Sequence, residues 1–180
     1  VWVGDESGDG MPIELIEPWL PERNDFLARF VARHEAGPHH LTFKVPDLVA
    51  TIERMRSAGF SLVNIDLTDP DWKEAFVMPR EAHGTVLQLA QTTHDFGTRA
   101  DHLAHVRDFG PRQNPKWWVD PEPSTGPPAK LRRGVLRTPI GSSALGLFGG
   151  LLHGDVVEES DTLTELIWPD GARLRLVADG

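Results

Sequence analysis

Apolar and polar residues alternate from position 40 to position 45, which predicts a strand with one buried face. Beyond this strand the apolar residues recur at helical spacing, with Asp47 as the N-cap and Gly59 at the helix end. Three further strands are predicted, at residues 60–67, 74–78 and 86–90. The stretch 39–91 is therefore predicted to form a βαβββ unit.

The same order of patterns returns near the C-terminus. Residues 131–138 predict a strand that ends before Pro139, and residues 142–152 predict a helix. Three strands are predicted after it, at residues 155–159, 163–168 and 172–177. A repeated unit of about fifty residues defines an architecture more reliably than any single motif. Two βαβββ units predict an α+β fold.

The remaining segments are predicted to be less regular. Residues 1–18 suggest a terminal hairpin whose second strand is 13–17, and residues 24–34 a short helix. Residues 92–130 are rich in Pro, Gly and polar residues and suggest a connector that packs through Trp117 and Trp118. Within it, His102 and His105 fall about one helical turn apart, where we expect a solvated surface.

Composition narrows the chemistry. The chain has no cysteine, so a metal ion would need ligands from His, Asp, Glu or Gln. A net charge of -9 argues against a nucleic-acid partner. No run of eighteen apolar residues and no signal peptide is visible, so we expect a cytoplasmic protein without a membrane partner. The chain opens at Val1 without a Met, and we expect the native N-terminus further upstream.

The run from Gly37 to Leu48, GPHHLTFKVPDL, resembles the opening of the second module in methylmalonyl-CoA epimerases. Ala58-Gly59-Phe60, His83-Gly84 and the strand at 86–89 match the flanking features of that module. Residues 13–18 are similar to the last strand of a first module. The resemblance covers residues 12–91 and is to the vicinal-oxygen-chelate superfamily, which includes glyoxalases, bleomycin resistance proteins and extradiol dioxygenases.

This resemblance implies paired βαβββ modules whose curved mixed sheets surround a metal cleft. Its ligand positions fall on Glu14, His40 and Gln88, while a fourth ligand would lie upstream of Val1. Residues 1–18 would then end an otherwise missing first module, and 39–91 would be the second. Residues 131–178 would form a degenerate module, because Arg133 and Arg175 occupy the equivalent positions and cannot bind a metal.

Strand alternation places His40 and Gln88 on the face opposite the predicted helix, and His39 on the helix side as a structural residue. A set of imidazole, carboxylate and amide ligands suits Mn, Fe, Co, Ni or Zn. An amide cannot take up a proton. Catalysis by proton transfer would therefore need another group: Glu14 and Glu17 are the candidates, with Glu74 or a residue of the missing first-module strand as an alternative base.

Three functions remain open at this stage. The first is a divalent-metal-dependent isomerase, epimerase or lyase that acts on a small oxygen-chelating molecule. The second is an Fe(II) extradiol dioxygenase, which needs two histidines and one carboxylate. The third is a metal-free module that binds and sequesters a small molecule, as in antibiotic resistance. The partner expected in each case is a small-molecule substrate or ligand, and a homodimer is left open.

Overall fold

The N-terminal part of the chain forms a short hairpin and one helix. The computed structural model describes residues 2–4, 10–18, 20–93, 100–101, 104–105, 107–108, 131–139 and 142–178. Strand β1 (Trp2–Gly4) pairs antiparallel with β2 (Gly10–Pro12), and helix α1 spans Phe26–His34. The strand predicted at 13–17 is wrong. Residues 13–18 are exposed and have no regular structure, because pairing with β1 ends at Pro12.

A mixed four-stranded sheet follows. Its elements are β3 (His40–Lys44), α2 (Leu48–Ser57), β4 (Leu62–Asp66), β5 (Trp72–Val77) and β6 (Val86–Thr92). The strand order is β3-β6-β5-β4, with β3 parallel to β6 and the other pairs antiparallel. The first and last strands of the unit therefore lie side by side.

Helix α2 covers one face of this sheet. The Asp47 carboxylate caps it by accepting a 3.0 Å hydrogen bond from the backbone N–H of Ala50. The helix buries Leu48, Ile52 and Met55, which pack in the same core as alternate strand residues. Gly59 follows the helix with a φ of 91°, a left-handed conformation that glycine adopts without steric cost.

The C-terminal unit repeats this topology. Its elements are β7 (Gly134–Arg137), α3 (Ser142–Leu145) continued by a π-helical segment (Gly146–Leu151), β8 (Asp155–Ser160), β9 (Leu163–Ile167) and β10 (Arg173–Val177). The order is β7-β10-β9-β8, and β7 is parallel to β10. The predicted α+β fold with two βαβββ units is confirmed.

One hydrophobic core joins the two units. The Phe43 ring of β3 lies 6.2 Å from Phe148 and 5.1 Å from Trp168, measured between ring centroids. The Leu41 side chain lies against Gly134, so that the first strands of both units approach each other. These aromatic and aliphatic contacts fix the two sheets relative to each other.

The segment between the units is described only in part. Residues 100–101, 104–105 and 107–108 are helical. His102, Trp117 and Trp118, on which the connector and histidine-pair predictions depend, lie outside the described residues. None of the described helices is both long and apolar enough to cross a membrane.

Candidate functional site

Glu14 and His40 lie in direct contact, although 26 positions separate them in the sequence. The Glu14 Oε2 atom is 3.5 Å from His40 Nε2. The His40 side chain is 15% exposed and that of Glu14 is 66% exposed, so the pair sits at the surface end of β3. The hydrogen bond from His40 is the main cause that lowers the pKa of the Glu14 carboxyl, against a smaller opposing effect of burial.

His39 holds the other side of the His40 ring. Its Nδ1 atom lies 2.9 Å from His40 Nδ1. Because a carboxylate can only accept, a neutral His40 that bonds to Glu14 carries its proton on Nε2, and His39 Nδ1 then donates to His40 Nδ1. The His39 ring also packs edge-on against Phe26 and Phe30 of α1. His39 therefore positions His40, and its ring contacts are with α1.

This tautomer leaves one polar atom of His39 without a partner. His39 Nε2 is buried and has no hydrogen-bond partner among the described residues. Burial, followed by the charge of His40, lowers the pKa of the His39 ring. At such a position a neutral ring costs less to bury than a charged one, which would place an unpartnered N–H at Nε2.

Gln88 is bonded at both ends of its amide. Its Oε1 accepts a 2.6 Å hydrogen bond from Thr42 Oγ1, and its Nε2 donates to Glu74 Oε2 at 2.8 Å. Gln88 is 7% exposed and faces Thr42 in the parallel pair of β3 and β6, whereas His40 faces Val86. The structure thus joins Glu14 to His40, and it places Gln88 on the neighbouring strand with partners of its own.

Glu74 and Glu17 differ in their surroundings. One oxygen of Glu74 accepts from both Gln88 Nε2 and the indole N–H of Trp72, the latter at 2.9 Å. Glu74 therefore holds the Gln88 amide in one orientation. Glu17 is exposed in the irregular segment after Glu14.

The contact of Glu14 with His40 has dimensions that fit two ligands of one metal ion. Two donors with bonds of about 2.1 Å at a tetrahedral angle lie about 3.4 Å apart. The observed separation of 3.5 Å is close to this value. Within the described part of the chain, however, no three His, Asp or Glu side chains lie close enough together to hold an ion. The pair therefore fits as part of a ligand set. Gln88 Oε1 is an amide candidate for that set, because Gln88 lies on β6, the strand paired with β3, two positions along from the residue that faces His40.

The second unit carries charged residues at the equivalent places. Arg175 faces Val135 in the parallel pair of β7 and β10, as Gln88 faces Thr42 in the first unit. Arg175 and Arg133 both donate to Glu165, which is 2% exposed. The alignment that predicted arginines at these positions did not reveal Glu165, since its partners come from two separate segments: Arg133 before β7, and Arg173 and Arg175 on β10.

Three arginines surround Glu165. Arg173 donates to its Oε1 at 2.8 Å, while Arg133 and Arg175 donate to its Oε2, the latter from Nε at 2.8 Å. Burial alone would raise the pKa of the Glu165 carboxyl. The hydrogen bonds from Arg173 and Arg175 and the charges of the arginines outweigh burial, and the pKa is lowered.

Residues 2–76 match the family model of the Glyoxalase/Bleomycin resistance protein/Dioxygenase superfamily. A hypothetical protein from Staphylococcus aureus shares the fold with a TM-score of 0.51 at 13% identity, over 89% of this chain and 61% of that protein. The chain thus spans less than two thirds of the length of that protein. No curated protein sequence matches the chain.

Two named enzymes are also among the similar structures. Streptomyces coelicolor methylmalonyl-CoA epimerase aligns with a TM-score of 0.35 at 20% identity, over 38% of this chain and 50% of that one. Leishmania major glyoxalase I aligns with a TM-score of 0.38 at 14% identity, over 79% and 86% of the two chains. The match to the family model includes residues 37–48 and so supports the resemblance inferred from that motif. Residues 2–76, less than half of the chain, are thus similar to the glyoxalase, bleomycin resistance protein and dioxygenase superfamily.

Proposed function

We propose that the protein binds a small molecule with adjacent oxygen atoms at a divalent metal ion and acts on it as an isomerase, epimerase or lyase. Glu14 and His40 are the proposed metal ligands within this chain. The observation that supports the proposal is the 3.5 Å separation of Glu14 Oε2 and His40 Nε2. These two residues are also among the three, with Gln88, that the family resemblance assigns as ligands.

A bound divalent ion would act as a Lewis acid that stabilises negative charge developing on the substrate oxygens. The chain itself supplies orientation. With an ion at Nε2, His40 would carry its proton on Nδ1 and donate it to His39 Nδ1, a contact that fixes the rotation of the His40 ring. Thr42 and Glu74 fix the Gln88 amide, whose oxygen retains one lone pair for an ion or for substrate.

Proton transfer needs a group that is neither a ligand nor bound to its neighbours. Glu14 serves as a ligand in this proposal, and Glu74 holds Gln88 and Trp72. Glu17 is exposed and is three residues from Glu14, so we propose it as the catalytic base. The remaining ligands would come from Gln88, water, substrate or other parts of the protein.

The experiment is a calorimetric titration of the chain with Mn²⁺, Co²⁺ and Zn²⁺. Replacement of a carboxylate ligand by its amide, Glu14→Gln, is expected to weaken the affinity for the ion at least tenfold, about 1.4 kcal/mol. The matched control is Glu22→Gln, since Glu22 is an exposed glutamate of the same irregular region. Equal affinities in both variants would refute the ligand assignment.

Metal-free binding of a small molecule is the second candidate. It is favoured by the lack of a third His, Asp or Glu at the pair within the described residues. Retention of ligand affinity after treatment with a chelator would identify this function. The dioxygenase alternative is not favoured, because the second histidine, His39, turns its Nδ1 toward His40 and its ring toward α1. A cytoplasmic location and a homodimer remain proposals.

A further inference from the structure

The arginine cluster of the second unit consists of Arg133, Arg173 and Arg175 around Glu165, with Glu158 at its edge. Glu158 accepts from Arg175 NH2 at 3.1 Å. Three guanidinium groups face two carboxylates, so the cluster carries one surplus positive charge. The whole chain has a net charge of -9. A local positive site in so acidic a protein attracts anions selectively to one place.

The cluster also retains hydrogen-bonding capacity. Each guanidinium has five N–H donors, and the bonds to Glu165 and Glu158 use only some of them. The side chains of Arg133, Arg173 and Arg175 are 34%, 40% and 28% exposed, so they reach solvent while their carboxylate partner is buried. Glu165 therefore acts as a rigid anchor that holds the three planar groups in fixed positions.

The cluster and His40 each lie on the face of their own sheet that is opposite the shared core. Leu41 contacts Gly134 on the core side of β3 and β7. Because side chains alternate along a strand, His40 points away from this core side. In β9, Leu166 is in the core, so Glu165 and the arginines bonded to it also lie on the outer face.

We infer that the arginine cluster binds an oxyanion group, carboxylate or phosphate, of the small molecule whose oxygens are bound near Glu14 and His40. The inference rests on the proposed function for the identity of the molecule. Arginine forks match the geometry of both oxyanions, and a bound group would balance the surplus charge of the cluster. The substrate class is therefore an anionic small molecule.

The test follows the Nε–H signals of arginine by NMR as the ¹⁵N-labelled chain is titrated with inorganic phosphate and, separately, with malonate. The chain is first freed of metal with a chelator, which is then removed by dialysis, so the result does not depend on metal binding at Glu14 and His40. We expect a saturable shift with at least one anion. Saturation by phosphate alone identifies a phosphate site, by malonate alone a carboxylate site, and by both a general oxyanion site.

Two substitutions distinguish anion binding by the cluster from a general effect of the protein's charge. Arg133→Gln should raise the dissociation constant at least about tenfold, since hydrogen bonds to charged groups have this magnitude. Glu165 keeps Arg173 and Arg175, so the fold should persist. Arg132→Gln, which removes the exposed neighbouring charge, should change it less than about twofold. Absence of saturation with both anions, or equal weakening in both variants, would overturn the inference.

If Arg133→Gln fails to fold, as judged by its thermal unfolding curve, Arg175→Lys replaces it as the test. This variant keeps the charge but loses the Nε–H that donates to Glu165. We expect it to bind the anion at least about threefold more weakly, because a single ammonium cannot reproduce the planar fork. Unchanged affinity in the folded variant would contradict a role for the cluster geometry.

Discussion

Thr42 Oγ1 donates a 2.6 Å hydrogen bond to Gln88 Oε1 across the parallel strands β3 and β6. The opposite end of the amide donates to Glu74 at 2.8 Å. A nearly buried amide with both ends bonded has one favoured orientation. Gln88, which the resemblance predicts as a ligand, is therefore a fixed neutral group whose nitrogen already donates to a carboxylate.

Replacement of Gln88 by Glu should destabilise the protein at neutral pH. The new oxygen would stand where Nε2 now donates to Glu74, so that two carboxylates would face each other. We expect the free energy of unfolding at pH 7.5 to fall by about 1 to 3 kcal/mol. Urea denaturation measures this change.

The pH dependence of the Gln88→Glu variant follows from the same contact. The folded pair retains a proton, so its pKa in the folded state lies above that in the unfolded state. The variant should then regain stability as the pH falls and lose it as the pH rises through the raised pKa. Gln91→Glu is the control, since Gln91 Oε1 accepts from the Leu48 N–H and a carboxylate can do the same. Equal losses in both variants would contradict the account.

Glu165→Gln should destabilise the second unit strongly. The substitution leaves three guanidinium groups around a buried site without their negative partner. Loss of one partner from a buried ion pair costs about 3 to 5 kcal/mol. Denaturation of this variant beside Glu159→Gln, at an exposed position of β8, measures the difference.

The pKa of Glu165 sets the pH range of that effect. A lowered folded pKa contributes stability above the unfolded pKa, and this contribution is lost as the pH falls through the folded value. The difference between the wild type and Glu165→Gln should therefore be constant near neutral pH and shrink below the ordinary glutamate pKa of about 4.3. A difference that grows on acidification would be inconsistent with the arginine contacts.

Gly154→Ala should also reduce stability. A Cβ at this position would lie 2.7 Å from Trp168 Cζ2 and 2.9 Å from the Phe148 carbonyl oxygen. Trp168 cannot easily move, because its indole N–H donates to the Leu152 carbonyl at 2.7 Å. We expect a loss of about 1 to 3 kcal/mol in the free energy of unfolding. Gly37→Ala, where no atom lies within 4 Å of the added Cβ, is the control and should cost little.

Strand alternation was sufficient to predict much of the fold. The apolar set at Leu41 and Phe43 identified the face of β3 that packs in the core. The alternation around Gln88 likewise gave its face, opposite Leu87 and Leu89. The same reasoning wrongly predicted a strand at 13–17, because alternation indicates a strand only where a partner strand is present to share its backbone hydrogen bonds.

The partners within the site could not be predicted from the sequence. Alternation predicts the face of the sheet on which Gln88 lies. Its contacts with Thr42 and Glu74 depend on the register of β3, β6 and β5, which alternation does not determine. The same holds for Glu165, since its arginine partners belong to separate segments of the chain. The π-helical segment Gly146–Leu151 was predicted only as a helix, because six residues are too few for the apolar spacing to distinguish a π-helix from an α-helix.

The most direct test of the central claim is the metal content of the purified chain, measured by elemental analysis after exposure to Mn²⁺, Co²⁺ or Zn²⁺ and removal of free ions. The account predicts about one ion per chain in the wild type, its loss in His40→Ala, and its retention in His34→Ala, which removes an exposed histidine at the end of α1. Unchanged metal in His40→Ala, or no bound metal in the wild type, would contradict the assignment of His40 and Glu14 as ligands.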